Sequence, residues 1–209
     1  MSVPSPCVCV VDDELSVRKS IARLLRAHGL DVQAYASTQE YLEAHDPATP
    51  GCLVLDLALP GHSGLELQAA LVARAYSPPI IFLSGRAEIA DSVRAMKLGA
   101  IEFPTKPVDE QALLTAVRAG VDKDRAERSR HQELSAIRAR LNTLTRRENE
   151  VLHRVIAGRL NKQTAAELGT AEKTIKVHRA RIMEKLGANS LAELVRLVNR
   201  VGLEVDPGS

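Results

Sequence analysis

Short apolar runs alternate with helix-spaced stretches from residue 7 to residue 121, and this alternation constrains the fold more than any other feature of the chain. The runs cover residues 7–11, 32–35, 52–56, 79–84 and 101–103. Several are almost continuously apolar, as strands buried on both faces must be. Between them, residues 16–28 carry Val17, Ile21, Leu24 and Leu25 at helical spacing and stop at Gly29. Residues 38–44, 64–73, 88–98 and 109–121 repeat the pattern, the last with Leu113, Leu114 and Val117 inward. Five strand–helix repeats predict a parallel sheet covered by helices on both faces.

Such a sheet places its sites just outside the carboxyl ends of the strands. Asp12 and Asp13 follow the first run, Asp56 closes the third, and Ser84 ends the fourth. Lys106 follows later, in Phe103-Pro-Thr-Lys-Pro107. A carboxylate can attack phosphorus to give an acyl phosphate, and Asp56 is placed for that role. The incoming group is anionic, so charge compensation is needed. Asp12, Asp13 and Asp56 offer the hard oxygens that Mg²⁺ prefers. Lys106 supplies a mobile cation for the phosphoryl oxygens and Ser84 a hydroxyl donor, while Gly85 leaves room for a bulky phosphodonor. A paired Asp after a strand is often only a turn or cap, and a Lys before Pro is often only a surface residue. Their joint placement favours phosphoryl chemistry.

The rest of the chain has another character. Residues 1–122 hold ten Lys and Arg against fifteen Asp and Glu, a net of −5; residues 123–209 hold eighteen against eleven, a net of +7. Opposite signs suit an acidic site in front and a polyanionic partner behind. Residues 122–142 contain no Gly or Pro and are rich in helix formers, which predicts a helical linker. Leu134, Ile137, Leu141 and Leu144 keep a 3-4-3 spacing, which suits a short coiled-coil seam or packing on the protein's own domain. Four helices follow. Thr145-Arg-Arg-Glu148 and Ser190-Leu-Ala-Glu193 are capping boxes, Asn161 is a candidate cap, and Gly158, Gly169 and Gly187 are stops. The tight turn at Gly169-Thr170 between the second and third helices is a helix-turn-helix signature.

The third helix, residues 171–186, can be oriented from its own spacing. At about 100° per residue, Ile175, Ile182 and Leu186 share one face. Lys173, Val177, Ala180 and Glu184 point the other way, with Lys176 and Arg181 on the flanks. A major groove accepts such a helix. Lys173, Lys176 and Arg181 suit guanine edges or phosphates, and Val177 suits a thymine methyl. Thr174 and Arg179, nearer the body, suit register-fixing phosphate contacts. A lone helix of this kind would be an ordinary solvated face; the preceding helix and turn favour DNA.

Composition narrows the alternatives. The longest apolar runs are too short to span a bilayer, and the first residues lack a signal-peptide pattern, so the chain reads as cytoplasmic and without a membrane partner. Cys7, Cys9 and Cys52 have no metal-site spacing and read as small core hydrophobes. No Gly-x-x-x-x-Gly-Lys loop supports a nucleotide-driven motor. An aspartyl phosphatase would use Asp-x-Asp, but Ala58 stands at the second position. The chain therefore reads as no enzyme. A constitutive DNA binder with a vestigial front domain is disfavoured by the intact acidic set.

Val10-Val-Asp12-Asp13, Leu53-Val-Leu-Asp56 with Pro60 and Gly64, Ser84-Gly85, Gly99-Ala100 and Phe103 with Lys106-Pro107 resemble the receiver domain of two-component response regulators. Thr145-Arg-Arg-Glu-Asn-Glu-Val-Leu, Asn161-Lys-Gln-Thr-Ala-Ala-Glu-Leu-Gly and Thr174-Ile-Lys-Val-His-Arg look like the LuxR-type helix-turn-helix. Together they resemble the NarL/FixJ class of response regulators, most like its FixJ and StyR members. The resemblance implies a flavodoxin-like, five-stranded receiver over residues 1–121. A helical linker over 122–142 and an all-α LuxR-type domain over 143–209 would follow.

It further implies phosphorylation of Asp56 by a sensor histidine kinase. Mg²⁺ would be held directly by Asp13, Asp56 and the Ala58 carbonyl, with Asp12 acting through water. Ser84 and Phe103 would be the two switch positions. Lys176, Val177 and Ala180 would face bases, and the helix at 190–199 would build a DNA-bound dimer. The implied partners are promoter DNA, RNA polymerase and, once phosphorylated, a second copy of the chain. Residues 86–90 and Pro104-Thr105 depart from the family's usual pattern beside the site and bear on phosphoryl lifetime and kinase preference. Ala171 and Ala180 stand where Ser and a basic residue are common.

Overall fold

The computed structural model describes residues 5–60, 63–73, 77–85 and 89–202. The chain divides into two compact units, Met1–Arg128 and Ser129–Ser209.

In the first unit the apolar runs form parallel strands β1 (Cys7–Val11), β2 (Asp31–Tyr35), β3 (Gly51–Asp56) and β4 (Ile80–Leu83), in the order β2-β1-β3-β4. β1, β3 and β4 are buried along their whole length, whereas the edge strand β2 buries only Tyr35. Successive side chains point to opposite faces, so two cores result. One gathers Cys9, Val11, Leu53, Leu55 and Phe82 with Tyr41, Leu65, Leu71 and Ala95. The other gathers Val8, Val10, Val54, Ile81 and Leu83 with Ile21, Leu25, Leu113 and Val117. The helices supplying them are α1 (Leu15–Ala27), α2 (Thr38–Ala44), α3 (Gly64–Val72), α4 (Ile89–Lys97) and α5 (Glu110–Leu141). Cys7, Cys9 and Cys52 are free and buried, as small core residues.

One expectation needs correcting. The strand expected at residues 101–103 is not a regular fifth strand among the described residues. The chain runs beside β4 but pairs with it only through isolated parallel bridges, Ile81 to Glu102 and Ser84 to Thr105. Phe82 N donates to Glu102 O (3.1 Å), Ser84 N to Pro104 O (3.3 Å) and Lys106 N to Ser84 O (2.7 Å). Pro104 has no N–H to give the ladder, so the segment keeps the place of a strand without its regularity. The sheet is still that of the expected flavodoxin-like fold. The altered stretch at residues 86–90 lies outside the described side chains, as does the tail beyond Gly202.

α5 is a single helix from Glu110 to Leu141, begun by Asp109, whose Oδ1 accepts from Ala112 N at 2.7 Å. In the second unit its last turns bury Ile137. Helices α6 (Arg146–Ile156), α7 (Asn161–Glu167), α8 (Glu172–Leu186) and α9 (Leu191–Arg200) follow. Val151, Leu152, Val155, Ile175, Ile182, Leu186, Leu194 and Val198 make the core. Both capping signals act at helix starts: Thr145 and Glu148 form a reciprocal box, and Ser190 accepts from Glu193 N. Glu148 is also buried against Lys185, Nζ to Oε2 2.7 Å. Asn161 is not the cap expected of it. It is the first residue of α7, and Leu160 N donates to Gln163 Oε1 instead. α8 begins after Ala171 with no side-chain cap, as the alanine at that position dictates. Gly169, at φ +60°, makes the turn between them.

Candidate functional site

The register of the sheet assembles the acidic residues. Val11 pairs with Leu55, and Asp56 with Leu83. Asp12 and Asp56 therefore leave their strands side by side at the carboxyl edge. Oxygens of Asp12, Asp13 and Asp56 come within 4.8 Å of one another. Asp12 and Asp56 are 0% and 5% exposed, while Asp13 is open to solvent. Lys106 Nζ bridges the two buried carboxylates, 2.8 Å from Asp12 Oδ2 and 2.7 Å from Asp56 Oδ2. Burial works against the Lys106 charge, but these hydrogen bonds and the nearby negative charges outweigh it and hold its pKa above the usual lysine value.

The polar atoms of Asp12 are each engaged. Its N–H donates to Tyr35 O, its Oδ1 accepts from Glu14 N at 2.9 Å, and its carbonyl accepts from Arg18 Nη1. Arg18 was not singled out from the sequence. Its helical position marks it only as a partly buried basic residue, and nothing in the spacing signals a bond back to the strand end. Asp56 Oδ1 accepts from Ala58 N at 3.2 Å, which folds the turn so that Ala58 sits beside the carboxylate. Ser84 is buried at the end of β4 and joined through its backbone to Lys106. Phe103 is half-buried and stacks on Phe82, ring centroids 5.6 Å apart.

Two buried carboxylates share one ammonium, and a third, solvent-open carboxylate joins the same cluster, so acidic oxygens outnumber the lysine that answers them. Buried anions need paired charge. An all-oxygen donor set with this surplus fits a hard divalent cation.

In the second unit the expected reading face is largely open. Ile175, Ile182 and Leu186 are buried, and Lys173, Lys176, Val177, Ala180 and Arg181 are exposed; Thr174, expected nearer the body, is exposed with them because it lies in the first turn of α8. Lys176 pairs with Glu172 one turn earlier, 3.3 Å. Arg179 differs from the rest: it is half-buried, and its Nη1 donates to Asn161 Oδ1 of α7 at 2.9 Å. It ties the two helices of the motif together. Among the described residues no helix is long and apolar enough to cross a membrane.

Comparisons with known proteins agree with both halves. The family of response regulator receiver domains matches residues 8–118, and the luxR family of bacterial regulatory proteins matches residues 142–198. Nodulation protein W of Bradyrhizobium diazoefficiens is 42% identical over 199 residues, covering 95% of this chain and 88% of that protein. The transcriptional regulatory protein FixJ of Azorhizobium caulinodans is 40% identical over 197 residues, covering 94% and 93%. The solved structure of the response regulator StyR is similar with a TM-score of 0.86 and 45% identity, over 94% of this chain and 99% of that one. The chain belongs to the NarL/FixJ family of two-component response regulators, transcriptional regulators that join a receiver domain to a LuxR-type DNA-binding domain.

Proposed function

We propose that Asp56 accepts a phosphoryl group from a sensor histidine kinase, and that this favours dimerisation and binding of promoter DNA in the cytoplasm. The observation that carries the reading is the Lys106 ammonium held between Asp12 and Asp56, with Asp13 in the same cluster. In the step, a carboxylate oxygen of Asp56 bonds to phosphorus. The bond from phosphorus to the kinase imidazole nitrogen breaks, and the imidazole leaves with its electron pair. Asp13, Asp56 and the Ala58 carbonyl would hold Mg²⁺ directly and Asp12 through water; the ion neutralises phosphoryl charge when bound. Lys106 and the Ser84 hydroxyl bind phosphoryl oxygens, and Ser84 and Phe103 carry the change outward. The phosphoryl group adds about −1.5 to −2 charges, which biases a bistable receiver rather than building a new fold.

In the DNA-binding half, Lys176, Val177 and Ala180 face bases, with Lys173, Thr174 and Arg181 flanking them. Arg179 serves by bracing α7 as well as by any phosphate contact. Two copies would meet a two-fold operator, with RNA polymerase as a later partner. The functional divisions are residues 1–121, 122–142 and 143–209.

The test is selection of fragments from the organism's own genome by phosphorylated wild type and by Asp56→Asn. Fragments enriched only by the phosphorylated protein support the reading and identify the operator. Equal enrichment by both would sink the gating, and enrichment by neither would sink the assignment of α8 to base reading.

A further inference from the structure

The part of α5 just beyond residue 121 supplies no residue of the acidic cluster or of α8, yet it is hydrogen-bonded to the segment that leads into β3. Asp124 is 1% exposed. Its Oδ2 accepts from Gly51 N at 2.9 Å and from Arg128 Nε at 3.0 Å. Arg128 Nη1 donates to Ala48 O at 3.1 Å, and Nη2 to Pro47 O at 2.9 Å and Thr49 O at 2.8 Å. One guanidinium thus binds three consecutive carbonyls ahead of β3 and the carboxylate beside them. That carboxylate in turn holds the first N–H of β3. A buried carboxylate is tolerated only when paired and hydrogen-bonded, and here one cation meets one anion with further donors satisfied. The grip is on an unyielding point. Gly51 has φ +145°, and a Cβ there would lie 1.8 Å from Cys7 O.

β3 runs from Gly51 to Asp56, so the far end of the gripped strand carries the phosphoacceptor. The gripping residues lie in the same helix whose last turns enter the second unit at Ile137. Coupling between two sites is a free energy, carried by an element whose state both sites bias. A helix can be that element only if the domain that senses the signal holds it at a defined point.

We propose that Asp124 and Arg128 form a latch fixing α5 to the receiver, and that phosphorylation-dependent DNA binding passes through this latch. The inference rests on the proposed gating and adds the residues through which it acts. Both are positioning residues, and neither belongs to the acidic cluster or to α8.

The test uses the full chain as wild type, Asp124→Asn and Arg128→Gln, each with Mg²⁺ and with or without acetyl phosphate. Intact mass reads the phosphoryl group on Asp56, and titration of a selected genomic fragment reads DNA affinity. The ratio of phosphorylated to unphosphorylated affinity is the quantity of interest. Both variants should take up the phosphoryl group as wild type does, while the ratio falls about fivefold or more toward one. A purely structural role would lower thermal stability and leave the ratio alone. A glycine insertion between Ser129 and Arg130 leaves the latch intact and interrupts the helix beyond it; it too should collapse the ratio. A folded Asp124→Asn with the wild-type ratio, or an insertion variant with the wild-type ratio, would overturn the latch while the gating stands. A wild-type ratio of one would remove the gating and the latch together.

Discussion

At Lys106 one ammonium lies 2.8 and 2.7 Å from two buried carboxylates, with a third in the same cluster; at Lys185 one ammonium lies 2.7 Å from one buried carboxylate. The parts are the same and the balance differs. Glu148 has Lys185 and the Thr145 N–H as partners, and these pull its pKa down to about 2 against the effect of burial. Every charge there is answered within the chain, and the pair joins α6 to α8. At Lys106 one ammonium is shared by two buried carboxylates, with a solvent-open third beside them. A carboxylate answered one to one suits a structural pair, and a cluster with more carboxylates than ammonium suits a cation. Burial of charge alone would not separate them, because a buried ion pair is weak evidence of stability or of function.

The contrast can be broken most decisively at Asp56. Asp56→Asn should abolish phosphoryl uptake from acetyl phosphate, read by intact mass, while Glu148→Gln leaves uptake unchanged. Uptake in Asp56→Asn would mean that another residue is the acceptor. Next in size is metal. Mg²⁺ at 100 times its dissociation constant should stabilise the first unit by about 2.7 kcal/mol. Amide hydrogen exchange in β1 and β3 should slow, with that of α6 unaffected.

Third, Glu148→Gln should destabilise the second unit by about 1.5–3 kcal/mol, the range for a hydrogen bond to a charged group. The pH dependence has a definite sign. The folded pKa of about 2 lies below the ordinary 4.5, so the contribution is fully present above pH 4.5. It is lost as pH falls toward 2, and acid unfolding of α6 should lose that component in the Gln variant. The smallest effect has the opposite direction: Asp13→Asn should stabilise the metal-free first unit by about 0.5–1 kcal/mol, since it relieves repulsion in a site under functional strain. Destabilisation there would show that the cluster is a balanced structural network after all.

The legible parts of the fold were those written in local periodicity. Val8–Val11 and Ile80–Leu83 announce strands buried on both faces, and the carboxyl-edge rule then brings Asp12, Asp13, Asp56 and Lys106 together. Thr145 and Glu148 announce a helix start that the structure contains. What escaped depends on partners far along the chain. The bond from Gly51 N to Asp124 spans 73 residues, and no spacing rule joins them. Arg179 was oriented correctly toward the body of its domain, but its partner Asn161 stands in another helix. The fifth strand was misread for a different reason. Ile101–Phe103 has strand-like side chains, but regular pairing also needs N–H groups, and Pro104 removes one.

Gly64 opens α3 where a Cβ would lie 2.6 Å from the carbonyl oxygen of Asp56 and 2.9 Å from the Phe82 ring. In genetic terms that codon is nearly closed, because any side chain would push against the backbone of Asp56, the proposed phosphoacceptor. Gly85 is the reverse: among the described residues a Cβ there meets nothing within 4 Å, and its codon is open to alanine. Descendants of this chain should therefore hold the first glycine and tolerate alanine at the second.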